Sequence, residues 1–161
     1  MTFDKSRYLS GYSVGVGGVV LYEGRILLVR LALGHGAGTW AIPGGFVEPD
    51  EMLDAAILRE LREESGVSAT LAGMLGVRGR VTPGENSIYC LFLLHAQSDE
   101  AQPDGFEVDQ ARFFALDEAL ALPGLNALSR LVIAHVREGN ARLLTLHPHP
   151  DYPVSAYGLY L

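Results

Sequence analysis

Cysteine is nearly absent from this chain: Cys90 is the only one in 161 residues, which excludes an internal disulfide and any zinc site built on several thiolates. Long apolar runs are missing as well. No stretch approaches the roughly 18–20 apolar residues that cross a bilayer, and residues 1–10 are polar, with no apolar segment of signal-peptide length. Basic residues are scarce, with twelve Lys and Arg against nineteen Asp and Glu, a net charge of −7. That deficit argues against a nucleic-acid backbone or an anionic membrane as a partner held by bulk charge. Internal repeats and low-complexity tracts do not occur. The expectation is a soluble, cytoplasmic protein with one domain over residues 1–161, burying roughly 70% of its unfolded surface without help from disulfides or structural metal.

Glycine, in contrast, is abundant: nineteen residues, where a value of about 7% is ordinary. Such a chain needs tight turns or close backbone approach. Residues 13–22 and 25–30 are apolar, β-branched runs separated by Glu23-Gly24, a hairpin turn in pattern. Gly15, Gly17 and Gly18 are expected as strand bends. Trp40-Ala41-Ile42 is a short apolar segment that stops at Pro43-Gly44-Gly45. A helix is expected over 51–65, with Asp50 as its cap and Gly66 just past its end. Strands follow at 70–80 and 87–96 around a Pro83-Gly84 turn, then a polar loop over 97–110 and a strand at 111–115. Asp117 caps a small helix, and a longer one runs near 125–137. Residues 145–161, with three prolines and no helical period, read as an irregular tail in which Tyr152, Tyr157 and Tyr160 are packing residues. His35, His147 and His149 read as loop residues. The order of elements indicates an α/β fold, a mixed sheet with helices on both faces.

The helix carries its charges in an unfavourable place. Between Gly45 and Val67 stand seven acids (Glu48, Asp50, Glu51, Asp54, Glu60, Glu63, Glu64) and two bases (Arg59, Arg62), a net of −5. Glu60, Glu63 and Glu64 share one side at i,i+3 and i,i+4 spacing, which costs about 0.2–0.5 kcal/mol per like-charged pair. They also lie at the C-terminal end, where the helix dipole repels carboxylates by a further ~0.3–1 kcal/mol. Leu53, Ile57 and Leu61 form the adjoining apolar stripe. A solvated face with Arg59 and Arg62 as counter-ions is one reading. A bound divalent cation is the other, and all-oxygen ligation favours Mg²⁺ or Mn²⁺, with a backbone carbonyl of Gly44 or Gly45 within the shell.

The run GFVEPDEMLDAAILRELREESGV, residues 45–67, resembles the Nudix box, G-x5-E-x7-R-E-U-x-E-E-x-G-U. Gly45, Glu51, Arg59, Glu60, Leu61, Glu63, Glu64, Gly66 and Val67 fill all of its restricted positions. Asp50 stands where many members carry glycine, and Met52 where many carry a small polar residue. The resemblance implies an α/β/α sandwich with a mixed sheet. It also implies hydrolysis of a nucleoside diphosphate linked to a moiety X, giving a nucleoside monophosphate and phospho-X. Carried over by position, it makes Glu60 and Glu64 the main metal ligands and Glu63 a third ligand or the water-orienting base. Glu51 and Arg59 become a structural pair, and Gly44 or Gly45 the source of a carbonyl. Homodimers are common in the family, although no apolar stripe here identifies an interface.

In parts of the family a carboxylate on a later loop is the general base, and Glu107 and Asp109 are the candidates here. Arg78 and Arg80, two residues apart on one strand face, and Arg30, at the end of its strand, are candidate substrate-binding residues. Pro83 stands 16 residues beyond Val67, a spacing that resembles ADP-ribose members, and inclines X toward ADP-ribose or another nucleoside diphosphate sugar. Three rivals stand beside hydrolysis of a small nucleotide. They are a non-catalytic nucleotide-sensing module, an RNA 5′-end pyrophosphohydrolase, and an acidic helix of purely structural use. The sensing modules usually lose box glutamates, which are all present here, and the net −7 disfavours RNA.

Overall fold

The structure, a computed structural model, describes residues 11–139, 141–147 and 159–160. The two glycine-punctuated apolar runs form β1 (Tyr12–Tyr22) and β2 (Arg25–Leu31). Between them Glu23 and Gly24 both take positive φ, 46° and 76°, as a two-residue I′ turn requires. The two strands then part. Only Leu21–Ile26 and Tyr22–Arg25 pair. β2 continues antiparallel to β6 (Val108–Ala115), and its far end meets the short β3 (Trp40–Ala41). β1 instead lies parallel to β5 (Glu85–Ala96), which pairs with β4 (Ala69–Thr82). The six strands make one mixed sheet.

Residues 43–47 run along the edge of β1 that β2 vacates. The Gly18 N–H donates to the Pro43 carbonyl at 2.9 Å, the Val16 N–H to that of Gly45 at 2.9 Å, and the Val47 N–H to that of Val14 at 3.0 Å. The glycine-rich segment is thereby pinned beside the sheet rather than left as free loop.

Helices cover both faces, as an α/β sandwich requires. On one side α1 (Leu53–Ser65) buries Ile57 and Leu61 among Val16, Val20, Leu27, Val29, Phe92 and Leu94. On the other, α2 (Leu116–Ala121) and α3 (Ala127–Arg137) pack Ala119 and Ile133 against Val19, Ile26, Leu28 and Trp40. No described helix is long and apolar enough to cross a membrane.

Several expectations need correction. Helix α1 starts at Leu53, and its N-cap is Met52, which offers no side-chain bond. Asp50 is a turn residue at φ 62°, a left-handed position, which is why glycine is common there in the family and why aspartate is tolerated. Asp117 lies inside the first turn of α2, where Glu118 accepts the Ala115 N–H at 3.2 Å. The cap of α3 is Asn126, which accepts the Ser129 N–H at 2.7 Å. The polar loop ends earlier than expected, since β6 begins at Val108. The described part of the tail is ordered into two short strands, β7 (Leu146–His147) against β8 (Leu159–Tyr160), and the Tyr160 ring meets Phe92 edge-on at 5.7 Å. His149, Tyr152 and Tyr157 lie outside the described residues.

Gly15, Gly17 and Gly18 are not bends; β1 runs through them unbroken. A Cβ at Gly17 would sit 2.5 Å from the Tyr89 ring and one at Gly18 2.8 Å from Leu94. These glycines exist to let side chains of β5 lie flat on β1. Gly17→Ala is therefore expected to destabilise the fold by about 1–3 kcal/mol, as overpacking does. Denaturant unfolding measures this, and the loss should shrink in the Tyr89→Ala background. An unchanged midpoint in Gly17→Ala would contradict this packing.

Candidate active site

Helix α1 presents its acids to the seam where β1 and β2 diverge. Its apolar stripe faces the sheet, so the neighbouring stripe of Glu60 and Glu64 is carried inward with it. Both are buried, with 9% and 5% of their surface exposed. Glu63, one step round the helix, stays largely in solvent.

One guanidinium organises these carboxylates. Arg59 holds Glu51 in a two-pronged pair at 2.8 and 3.0 Å, and also reaches Glu60 at 2.9 Å and Glu63 at 3.0 Å. Its Nη2 donates to the Phe46 carbonyl at 2.9 Å, which ties α1 to the pinned segment. Glu51 in turn accepts the Glu48 N–H at 3.1 Å. The bond to Arg59 holds the Glu51 carboxyl below the usual carboxylate range, and Glu51 in turn raises the arginine.

Glu64 is different. Its Oε2 accepts the Gly44 N–H at 2.8 Å, and no cationic side chain among the described residues pairs with it. Burial pushes its carboxyl up to about 8; the charges of Glu60, Glu107 and Asp104 add to the rise, while the Gly44 bond opposes it. Burial also raises Glu60, against the pull of Arg59.

Glu60, Glu63, Glu64 and Glu107 line one cavity of about 530 Å³ with Gly44, Gly45, Phe46 and Arg59. Glu107 comes from the loop just before β6, and Glu48 from the segment before α1 lines the same cavity. Asp104 shapes that loop by accepting the N–H groups of Phe106, Glu107 and Val108 at 2.9, 3.2 and 2.9 Å. Sequence reading missed Asp104; its signal was the Asp-Gly pair at 104–105, a turn signature.

Arg78 and Arg80 line a second cavity, which shares Gly44, Gly45 and Phe46 with the first. Arg30 and Asp109 line neither. They bind each other at 2.7 and 2.8 Å, a mutual neutralisation that occupies both candidates.

The donor set suits a hard divalent cation: five carboxylates, Glu48 included, line one cavity, oxygen only, and the buried Glu64 pairs with no cationic side chain among the described residues. The chain also makes room for it. A Cβ at Gly45 would fall 2.4 Å from the Glu60 carboxylate. Of the two candidate carbonyls, that of Gly45 accepts the Val16 N–H, whereas no hydrogen bond to the Gly44 carbonyl is found among the described residues. As they stand, Glu60 and Glu63 lean on Arg59, and no three His, Cys, Asp or Glu among the described residues are grouped tightly enough to hold a metal ion.

A pH dependence follows. The Glu64 carboxyl is raised in the folded state, so without a cation its ionisation opposes folding. The penalty is absent below the unfolded pKa of about 4.5 and grows as pH rises toward 8. Cation-free protein should lose up to a few kcal/mol over that window. Glu64→Gln, which keeps an acceptor for Gly44, should flatten the loss and be the more stable protein at pH 8. Unfolding curves from pH 5 to 8 in EDTA test this, and parallel profiles would contradict it.

Residues 11–136 match the family model described as the NUDIX domain. The ADP-ribose pyrophosphatase of Methanocaldococcus jannaschii is 32% identical over 107 residues, covering 65% of this chain and 63% of that protein. This chain thus spans less than two thirds of that relative's length. Phosphatase NudJ of Escherichia coli O1:K1 / APEC is 31% identical over 127 residues, covering 77% and 80%. Among solved structures, a MutT NUDIX hydrolase from Burkholderia pseudomallei superimposes with a TM-score of 0.68 at 32% identity, covering 78% of this chain and 98% of that one. With most of the chain matched and the acidic helix set against the glycine-rich segment as the box requires, the chain belongs to the Nudix hydrolase family.

Proposed function

We propose that this protein hydrolyses the pyrophosphate link of a nucleoside diphosphate joined to a moiety X, with Mg²⁺ or Mn²⁺, releasing a nucleoside monophosphate and phospho-X. The observation that carries the reading is the buried Glu64 carboxylate, fixed by Gly44 and without an ion pair among the described residues, in a cavity it shares with four further glutamates. A pyrophosphate and five carboxylates repel each other, so positive charge brought in from solution is what makes substrate and site compatible. The cation supplies that neutralisation and an acidified water.

The protein's own residues do the positioning. Glu60 and Glu64, with Glu63, hold the cation, and the Gly44 N–H keeps Glu64 aimed into the cavity. Arg59 fixes α1 to the segment carrying Gly44 and Gly45 through the Phe46 carbonyl. Glu107, on the wall of the same cavity, takes the proton of the water that attacks phosphorus in line. Arg78 and Arg80 bind the part of the substrate that extends into the second cavity. Two observations favour ADP-ribose or another nucleoside diphosphate sugar: Pro83 in the β4–β5 turn, and the named substrate of the M. jannaschii relative. Because every box glutamate is present, hydrolysis is favoured over sensing alone.

A hydrolysis panel tests the reading. It should include ADP-ribose, other nucleoside diphosphate sugars, dinucleoside polyphosphates, NADH and nucleoside triphosphates, with Mg²⁺. Turnover of at least one is expected, and Glu64→Gln should reduce it by about 10²–10³-fold, as loss of a group that stabilises transition-state charge does. Undiminished turnover in that variant would remove the metal assignment. Glu107→Gln should lower kcat by about 10²-fold or more with little change in KM. An unchanged kcat would make Glu107 an ordinary loop acid.

A further inference from the structure

The second cavity, about 280 Å³, lies between β1, β4 and β5 and shares the ridge Gly44, Gly45 and Phe46 with the first. Its walls combine two chemistries. Phe46, Ile88, Tyr89 and Leu128 are apolar, and Phe46 is 68% exposed although its backbone is held by Gly15 and Arg59. The polar groups include both donors and an acceptor.

Arg78 lies flat over the Tyr89 ring at 5.3 Å and donates from Nη2 to Ser87 Oγ at 3.1 Å. No carboxylate among the described residues pairs with it, and its Nε is buried without a hydrogen-bond partner. Ser87 is 7% exposed and accepts from Arg78, so its own O–H is left to donate. Glu85 stands beside them, accepting from Ser13 at 2.7 Å and facing Arg80 at 3.7 Å. The glycines of β1 build this arrangement: with any side chain at Gly15 or Gly17 the Tyr89 ring could not lie where it does, and Arg78 would lose its support.

The mixture decides what fits. A second phosphate offers acceptors only and would meet the Glu85 carboxylate as a like charge. A nucleobase offers a flat face for the aromatic and guanidinium planes, and an edge with an acceptor next to an N–H donor. We propose that this cavity receives the nucleobase of the substrate, with Arg78 and Ser87 donating to its acceptor and Glu85 accepting from its N–H. The inference rests on the hydrolase reading for the position of the scissile link. It adds the substrate's direction: the nucleoside half lies on the β4–β5 side of Gly44–Phe46, and X extends over the opposite rim near Leu33 and Glu48.

The test is calorimetric binding of AMP, GMP, CMP, UMP and ribose 5-phosphate to the wild-type protein in millimolar Mg²⁺. The four nucleotides should differ by about tenfold or more, the size of one base-edge contact, and the best should exceed ribose 5-phosphate by a similar factor. Glu85→Gln and Ser87→Ala, each checked for folding by circular dichroism, should compress that spread and leave ribose 5-phosphate unaffected. Equal binding of all five ligands, equal weakening of all five by both variants, or no binding at all would overturn the inference. The two readings fail separately. Hydrolysis without base discrimination defeats this one alone, and base discrimination by a protein that hydrolyses nothing defeats the hydrolase reading alone.

Discussion

The Arg59 guanidinium is the interaction on which the rest of the site depends. It touches three carboxylates and one carbonyl at once, and so joins the acidic helix to the glycine-rich segment beside β1. Without it, Glu60 and Glu63 would face each other unneutralised near the negative end of a helix dipole. With it, most of the helix's repulsion is already relieved by the protein itself. Of the three glutamates at the end of the helix, Glu64 is the one left without an ion pair among the described residues.

The second constraint is backbone proximity. Because β1 and β2 part after two residue pairs, a seam opens in the sheet, and residues 43–47 fill it with hydrogen bonds to β1. Gly44 can occupy that seam only as glycine, at φ 150° and with a Cβ position 2.1 Å from the Val16 carbonyl. The same segment delivers the N–H that aims Glu64 and the ridge that separates the two cavities. Fold and site are therefore not independent layers: the strand divergence creates the seam, the glycines fill it, and the helix closes it with acids.

Much of this was legible in the sequence. The box residues have fixed spacing, and helical periodicity necessarily brings Glu60, Glu63 and Glu64 together. The hairpin at Glu23-Gly24 and the helix stop at Gly66 followed from backbone conformations that few residues adopt. Other features were not legible because they depend on partners distant in sequence. Arg30 looked as available as Arg78 until the structure paired it with Asp109, 79 residues away. The β1 glycines resembled bends because the side chains they accommodate, Tyr89 at Gly15 and Gly17 and Leu94 at Gly18, lie on a parallel neighbour strand. Aspartate serves both as a cap and as a left-handed turn residue, and Asp50 took the second role. Convergence of Glu107 with the helix acids leaves no mark on the local pattern, since it depends on a loop whose shape Asp104 sets.

The central claim is that the buried Glu64 carboxylate makes this cavity a divalent-cation site. Titration of Mn²⁺ followed by electron paramagnetic resonance measures it directly, because bound Mn²⁺ leaves the free-ion signal. Wild-type protein is expected to withdraw Mn²⁺ from that signal, competed by Mg²⁺, and folded Glu64→Gln to do so far more weakly. Equal withdrawal by both proteins, or none by either, would contradict it.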